Sequence, residues 1–114
     1  MKVLLDECLP VDFRLLLAGH DVNTVVYVGW AGVKNGRLLA LAAAQGFEVM
    51  VTTDAGTEHQ QNPATLPLAI VILHAPSNQL PDLTPLAPPP LAVLPSLSRG
   101  AVIHVPRPRP QLRT

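Results

Sequence analysis

The chain has 114 residues, of which 48% are hydrophobic and 14% are charged, and eight basic side chains balance eight acidic ones. This length predicts one domain, and the zero net charge argues against strong nonspecific binding to duplex nucleic acid, which usually requires a basic surplus. The single cysteine, Cys8, excludes an intrachain disulfide and a cysteine-based zinc site. No apolar stretch is long enough to span a bilayer, and the first residues lack the pattern of a secretory signal. We therefore expect a cytoplasmic protein without a membrane segment.

Short aliphatic runs alternate with helical patterns along the chain. The runs predict strands at residues 2–5, 22–26, 49–52, 68–73 and 101–105. After Pro10, the spacing of Phe13, Leu16 and Leu17 predicts a helix that ends at Gly19. The alternation predicts an α/β fold: a single three-layer α/β/α domain with a mostly parallel sheet of four to five strands.

The remaining connections are less regular. A second helix is predicted at 34–45, with Leu38, Leu39 and Ala42 facing inward, Leu41 as a further candidate and Gly46 closing it. Residues 54–61 predict a short helix, whereas the five prolines within 83–97 allow only broken helical pieces. The alternation of proline and arginine after Val105 predicts a flexible tail at 106–114, which leaves 1–105 as the domain.

Two of the predicted strands stop at a carboxylate. K-V-L-L-D ends at Asp6, and E-V-M-V-T-T-D ends at Asp54. If the two strands are parallel neighbours, both acids lie at the carboxyl edge of the sheet, where open α/β sheets bind ligands. Together with Glu7, they would suit a divalent cation such as Mg²⁺. Either aspartate alone could instead cap a helix, but the pair favours a metal site.

Several short blocks resemble a known family when they are taken in order. They are L-L-D-E-C-L-P, G-H, G-W-A-G-V-K-N-G-R-L-L, G-F-E-V-M-V-T-T-D, H-Q-Q-N and A-P-S-N. Over residues 1 to 105 the chain resembles small PIN-like proteins. The resemblance implies an α/β/α sandwich and a hydrolase, a ribonuclease dependent on Mg²⁺ or Mn²⁺, which in some members is the toxin of a toxin–antitoxin pair. It makes Asp6 and Asp54 metal ligands and catalytic residues.

Two positions depart from the pattern that the resemblance implies. A glutamate is expected after the N-G pair, but Arg37 stands there, and Ala55 follows Asp54 where a basic or polar side chain is expected. A cation at residue 37 would weaken Mg²⁺ binding by charge repulsion if it faced the site.

Other polar residues are candidates for the same site. Glu7 either turns towards the two aspartates as a catalytic residue or stabilises the start of a helix. Gln61 and Asn62 either line the substrate site, where amides bind a base, a phosphate or a metal-bound water, or organise a loop. Asn35 either contacts substrate beside Arg37 or caps the second helix.

Two further side chains have structural and functional interpretations. Trp30 either covers a small core or stacks on a nucleobase, and the first is favoured. Cys8 is expected to pack as a small apolar group.

These features leave two functional hypotheses open. In the first, the chain is a PIN-like phosphodiesterase in which Asp6 and Asp54 hold Mg²⁺ or Mn²⁺ while water attacks the phosphorus of an RNA substrate. In the second, it is a catalytically degenerate PIN-like module that binds an antitoxin-like protein partner. The surviving acids favour the first hypothesis, and the zero net charge and Arg37 favour the second. The sequence is compatible with a homo-oligomer in either case.

Overall fold

The computed structural model describes residues 2–17, 19–33, 35–54, 67–75, 77, 79–86 and 100–105. In these ranges the strands are β1 (Lys2–Leu5), β2 (Asp21–Thr24), β3 (Val49–Thr52), β4 (Ala69–Leu73) and β5 (Val102–Val105). The α-helices are α1 (Asn35–Ala44) and α2 (Leu80–Leu83), and 3₁₀ helices span Val11–Leu16 and Thr84–Leu86.

The five strands form one parallel sheet in the order β2-β1-β3-β4-β5. From β1 the chain continues to β2 on one side, and it then returns past β1 to β3 on the other. The strand order therefore reverses between β1 and β3, and the carboxyl ends of these two strands border the crevice in which doubly wound sheets bind ligands. The predicted α/β domain with a parallel sheet is confirmed.

The core has two parts, one on each face of the sheet, because successive side chains of a strand point to opposite faces. The first cluster contains Val3, Leu5, Phe13, Leu17 and residues of every strand but β2, and the second contains Leu4, Met50 and the inner side chains of α1. β3 and β4 are buried along their whole length. Apolar side chains therefore cover both faces of the central strands, as their unbroken aliphatic runs predict.

The 3₁₀ helix Val11–Leu16 covers the first face. Its Phe13 is fully buried, Leu17 directly after it is also buried, and the exposed Leu15 points away. The hydrophobic spacing therefore predicted the buried face correctly, although the backbone is 3₁₀ rather than α. α2 covers the same face through its buried Leu83.

Helix α1 covers the second face with Leu38, Leu39 and Ala42, which were predicted to face inward, whereas Leu41, the further candidate, is only half-buried. The helix ends where Gly46 donates to Ala43 and Phe47 donates to the Ala42 carbonyl, with Gly46 at φ +86°. This is the Schellman arrangement, which requires a left-handed residue that glycine supplies without strain.

Strand β2 ends at Thr24, two residues before the predicted end. The Thr24 hydroxyl accepts a hydrogen bond from the Tyr27 backbone, and the Thr24 carbonyl accepts one from Val28. These bonds turn the chain through residues 25–29, so that Val26 is exposed instead of continuing the strand.

The other strand boundaries and those of α1 lie within one residue of the predicted ones, whereas the first helix, predicted to end at Gly19, ends at Leu16. α2 begins three residues before the segment 83–97, where only broken helical pieces were expected, and Thr84–Leu86 is one short 3₁₀ piece inside that segment. The predicted helix at 54–61, the proline-rich segment after Leu86 and the tail at 106–114 lie outside the described residues. Within the described ranges, no helix has the length and apolar character needed to span a membrane.

Candidate active site at the carboxyl edge of the sheet

Asp6 directly follows β1 and is one of the few buried polar residues, with 9% of its surface exposed. Its backbone N–H donates to Val51 at 2.9 Å, which extends the β1–β3 ladder by one residue. Its side chain accepts a hydrogen bond from the Glu7 backbone at Oδ1 (2.8 Å) and one from the Thr52 hydroxyl at Oδ2 (2.7 Å). These bonds use one lone pair on each oxygen, whereas an ionised carboxylate offers about four acceptor sites.

The Asp6 side chain is not a helix cap. The 3₁₀ helix that follows begins after Pro10 and has no side-chain cap. The backbone carbonyl of Asp6 closes a turn by accepting from Leu9 at 3.0 Å, while the carboxylate bonds across the sheet to β3. The bond to β3 holds the Asp6 carboxylate at the edge of the sheet, whereas a capping bond would direct it to the backbone of the following helix.

Thr52 links the two strand ends. The last residue of β3, it is fully buried, and its hydroxyl donates to Asp6 and accepts from the backbone N–H of Asp54 at 3.0 Å. One oxygen thus fixes the position of the Asp6 carboxylate relative to the Asp54 backbone. No role for Thr52 follows from the sequence alone, because a residue two positions before an acid can be recognised as an organising group only once β1 and β3 are known to pair.

Asp54 lies at the same edge of the sheet as Asp6, as predicted, since β1 and β3 are adjacent and parallel. Its side chain is exposed. Glu7 is also exposed, and its carboxylate accepts a hydrogen bond from the Gly32 backbone at 3.3 Å. Glu7 therefore connects the end of β1 to the loop that leads into α1.

The first turn of α1 lies at this edge too. The opposite end of the helix is at the amino edge, where Lys2 Nζ donates to the Gln45 carbonyl at 2.6 Å, and the bond between Glu7 and Gly32 places the preceding loop beside Asp6. α1 begins at Asn35, and Arg37 in its first turn is exposed. The Asn35 side chain lies outside the described part of the structure, as do Gln61, Asn62 and Ala55.

Cys8 and Trp30 have the structural roles that were favoured. The thiol of Cys8 accepts a hydrogen bond from the Thr53 hydroxyl at 3.1 Å, and the side chain packs against the first core cluster. Trp30 meets the Phe47 ring edge to face, with centroids 6.0 Å apart, and covers the second cluster.

The donors at this edge fit a weakly held hard cation. Oxygen ligands suit Mg²⁺ and Mn²⁺, and Mg²⁺ usually takes one or two carboxylates and keeps several waters. Among the described residues no group of three or more histidine, cysteine or acidic side chains is arranged to hold a metal. Asp6 with Asp54 could therefore supply two carboxylates, and water would have to complete the coordination.

No protein-family model matches the chain, and comparisons with curated proteins and with solved structures also gave no match. The resemblance to PIN-like proteins thus rests on the sequence blocks alone.

Proposed function

We propose that the crevice between the ends of β1 and β3 is an active site for metal-dependent hydrolysis of RNA, as the resemblance to PIN-like ribonucleases implies. The observation that carries the proposal is the Asp6 carboxylate, which is nearly buried and is bonded to Thr52 beside Asp54. Burial of a charged group is costly unless the group is hydrogen-bonded or binds a ligand. This carboxylate lies at the edge of the sheet where doubly wound folds bind their ligands.

Asp6 and Asp54 are the residues that would hold Mg²⁺ or Mn²⁺. A cation bound there would stabilise charge on a phosphoryl group and favour ionisation of a bound water. Thr52 keeps the Asp6 carboxylate in one orientation, and Glu7 anchors the loop before α1. Arg37, in the first turn of α1, supplies a guanidinium that can bind a substrate phosphate.

We expect the site to bind metal weakly, because a positive charge offsets part of the negative charge of its carboxylates. Arg37 adds a positive charge at the same edge, and the described residues lack a three-ligand group. We expect cleavage of single-stranded RNA at high Mn²⁺ concentration, slower than an enzyme with a full acidic cluster would achieve. Such a substrate is consistent with the cytoplasmic location expected from the sequence, which stays a prediction.

The test combines Mn²⁺ titration with cleavage of single-stranded RNA. Asp6→Asn and Asp54→Asn should each abolish cleavage and weaken Mn²⁺ binding. Asp21→Asn is the matched control, because Asp21 is an exposed carboxylate at the start of β2 and so lies at the opposite edge of the sheet. Cleavage by Asp6→Asn at the rate of the unmodified protein, with all variants folded, would overturn the proposal.

A second candidate function, binding of a protein partner by a degenerate PIN-like module, is favoured by an exposed apolar surface. Val11, Val26 and Tyr27 are 54%, 62% and 81% exposed. With Glu7, Leu9 and Thr24 they line a groove of about 430 Å³. β2 is a border strand of the described sheet, and border strands and apolar grooves are common binding surfaces for other chains.

The test of this candidate compares Tyr27→Ser with Leu15→Ser. Both side chains are large, apolar and exposed, but Leu15 does not line the groove. A protein that copurifies with the unmodified chain, binds again in purified form and fails to bind Tyr27→Ser alone would support an antitoxin-like partner. Loss of self-association in light scattering would identify the partner as a second copy, and equal binding by both variants would contradict the candidate.

A further inference from the structure

Two histidines meet at the other end of the carboxyl edge. His104 lies in β5, and His74 directly follows β4, its neighbour in the sheet. Nε2 of His74 and Nδ1 of His104 are 2.7 Å apart, and the His74 backbone donates to the Val105 carbonyl at 2.7 Å. The backbone of both histidines is therefore fixed by hydrogen bonds of the sheet, His104 within β5 and His74 through its bond to Val105.

The two rings point at each other through their nitrogen atoms. Their planes differ by 19°, and their centroids are 4.9 Å apart. This separation exceeds the 2.7 Å between the nitrogens by about the two ring radii, so the rings lie edge to edge and close to one plane rather than face to face. The lone pair of an imidazole nitrogen lies in the ring plane. Nε2 of His74 and Nδ1 of His104 therefore point at the same space between the rings, which the proton of their hydrogen bond occupies.

We propose that His74 and His104 form a two-imidazole binding site for Zn²⁺, separate from the crevice between β1 and β3. Neutral imidazole nitrogen is a preferred ligand of Zn²⁺, whereas Mg²⁺ prefers oxygen. Two Zn–N bonds of about 2.0–2.1 Å at a tetrahedral angle require the nitrogens to separate by a further ~0.7 Å and each ring to turn by about 35°, because the two lone pairs now point straight at each other. His74 is exposed at the end of its strand, so it can make this adjustment.

Zn²⁺ would replace the shared proton without a change in the number of protons on the pair. In the hydrogen-bonded pair, one ring carries its proton on the inner nitrogen and the other carries it on the outer nitrogen. In the metal-bound pair both rings carry the proton on the outer nitrogen, so one ring changes tautomer. Among the described residues, no third histidine, cysteine or acidic side chain is arranged with the pair to hold the metal.

The test is a Zn²⁺ titration of the full chain without a histidine tag, in a Cys8→Ser background that removes the thiol. We expect one Zn²⁺ per chain at the two histidines, bound more tightly than any Zn²⁺ at Asp6 and Asp54, because imidazole suits Zn²⁺ better than a pair of carboxylates does. His74→Gln and His104→Gln should each lower the affinity by about tenfold or more, because even the loss of an outer-shell partner of a metal ligand costs that much. His20→Gln is the control, since His20 lies just before β2 at the opposite edge of the sheet.

Nitrogen NMR of the imidazoles gives a second readout. Zn²⁺ should shift Nε2 of His74 and Nδ1 of His104, and Mg²⁺ should shift neither. Zn²⁺ affinity that is the same in His74→Gln, His104→Gln and the unmodified chain would overturn the site. The absence of Zn²⁺ binding by the unmodified chain would also overturn it, and the two histidines would then only join β4 and β5 by a hydrogen bond.

Discussion

Thr52 donates its hydroxyl proton to the carboxylate of Asp6 at 2.7 Å, although the two residues are 46 positions apart in the chain. A hydrogen bond to an ionised acceptor is roughly twice as strong as one between neutral groups. The same hydroxyl oxygen accepts a hydrogen bond from the backbone N–H of Asp54. The two hydrogen bonds of this hydroxyl polarise and so strengthen each other. Thr52 therefore links the carboxylate of Asp6 to the backbone of Asp54.

Replacement of Thr52 by valine should disturb both stability and metal binding. Thr52→Val removes a donor from a buried carboxylate and an acceptor from the Asp54 backbone, so we expect a loss of about 1–3 kcal/mol in the free energy of unfolding. Thr52→Ser retains the hydroxyl and should cost about 1 kcal/mol for the lost methyl group. Urea unfolding and Mn²⁺ titration measure the two effects. If Thr52→Val kept the Mn²⁺ affinity that Thr52→Ser shows, the hydroxyl would not organise the site.

Reversal of the charge at Arg37 should strengthen Mn²⁺ binding. Arg37→Glu removes a cation from the carboxyl edge and adds an acid in the first turn of α1, and we expect affinity to rise about fivefold, which corresponds to roughly 1 kcal/mol. Arg14→Glu makes the same change on the 3₁₀ helix that covers the opposite face of the sheet, and it should have little effect. Equal titration curves for the two variants would place Arg37 outside the site.

The two glycines at the ends of α1 should respond to alanine in opposite directions. Gly46→Ala forces a side chain into φ +86° and should destabilise the protein by about 1 kcal/mol or more. Gly36→Ala, at an exposed position inside the helix, should stabilise it by about 0.5–1 kcal/mol. Thermal and urea unfolding give both values. A stabilising Gly46→Ala would mean that α1 does not end in the left-handed turn.

Truncation of Phe13 tests the apolar packing on the first face of the sheet. Phe13 is completely buried, and Phe13→Ala should cost about 3–5 kcal/mol. Leu15→Ala, two residues along the same 3₁₀ helix, removes a side chain that is 63% exposed and should change stability by less than about 0.5 kcal/mol. Similar losses for the two variants would show that the helix presents a different face to the core.

The sequence was most informative where burial alone decides the structure. β3 was predicted with its correct ends and β4 to within one residue, because strands covered on both faces require unbroken aliphatic runs. The prediction failed at the border strand β2, where Val25 and Val26 continue the apolar run but the Thr24 hydroxyl turns the chain. A local side-chain bond to the backbone outweighed strand propensity there, and a hydrophobic pattern does not contain that information.

The candidate site could be predicted only in part for a related reason. The positions of Asp6 and Asp54 at one edge follow from two runs that end in acids, provided that β1 and β3 are neighbours. The role of Thr52 and the meeting of His74 with His104 depend on strand register, which pairs residues distant in sequence. Register is fixed by the assembled core rather than by local sequence, so these contacts appear only in the folded chain.

The backbone bond from Asp6 to Val51 ties the lifetime of the site to that of the sheet. The Asp6 amide is held in the β1–β3 ladder by this bond. It can exchange its hydrogen for solvent deuterium only when the two strands separate, and that separation also moves Asp6 away from Thr52. The exchange rate of this single amide therefore reports how often the bonds that hold Asp6 in the candidate site are broken.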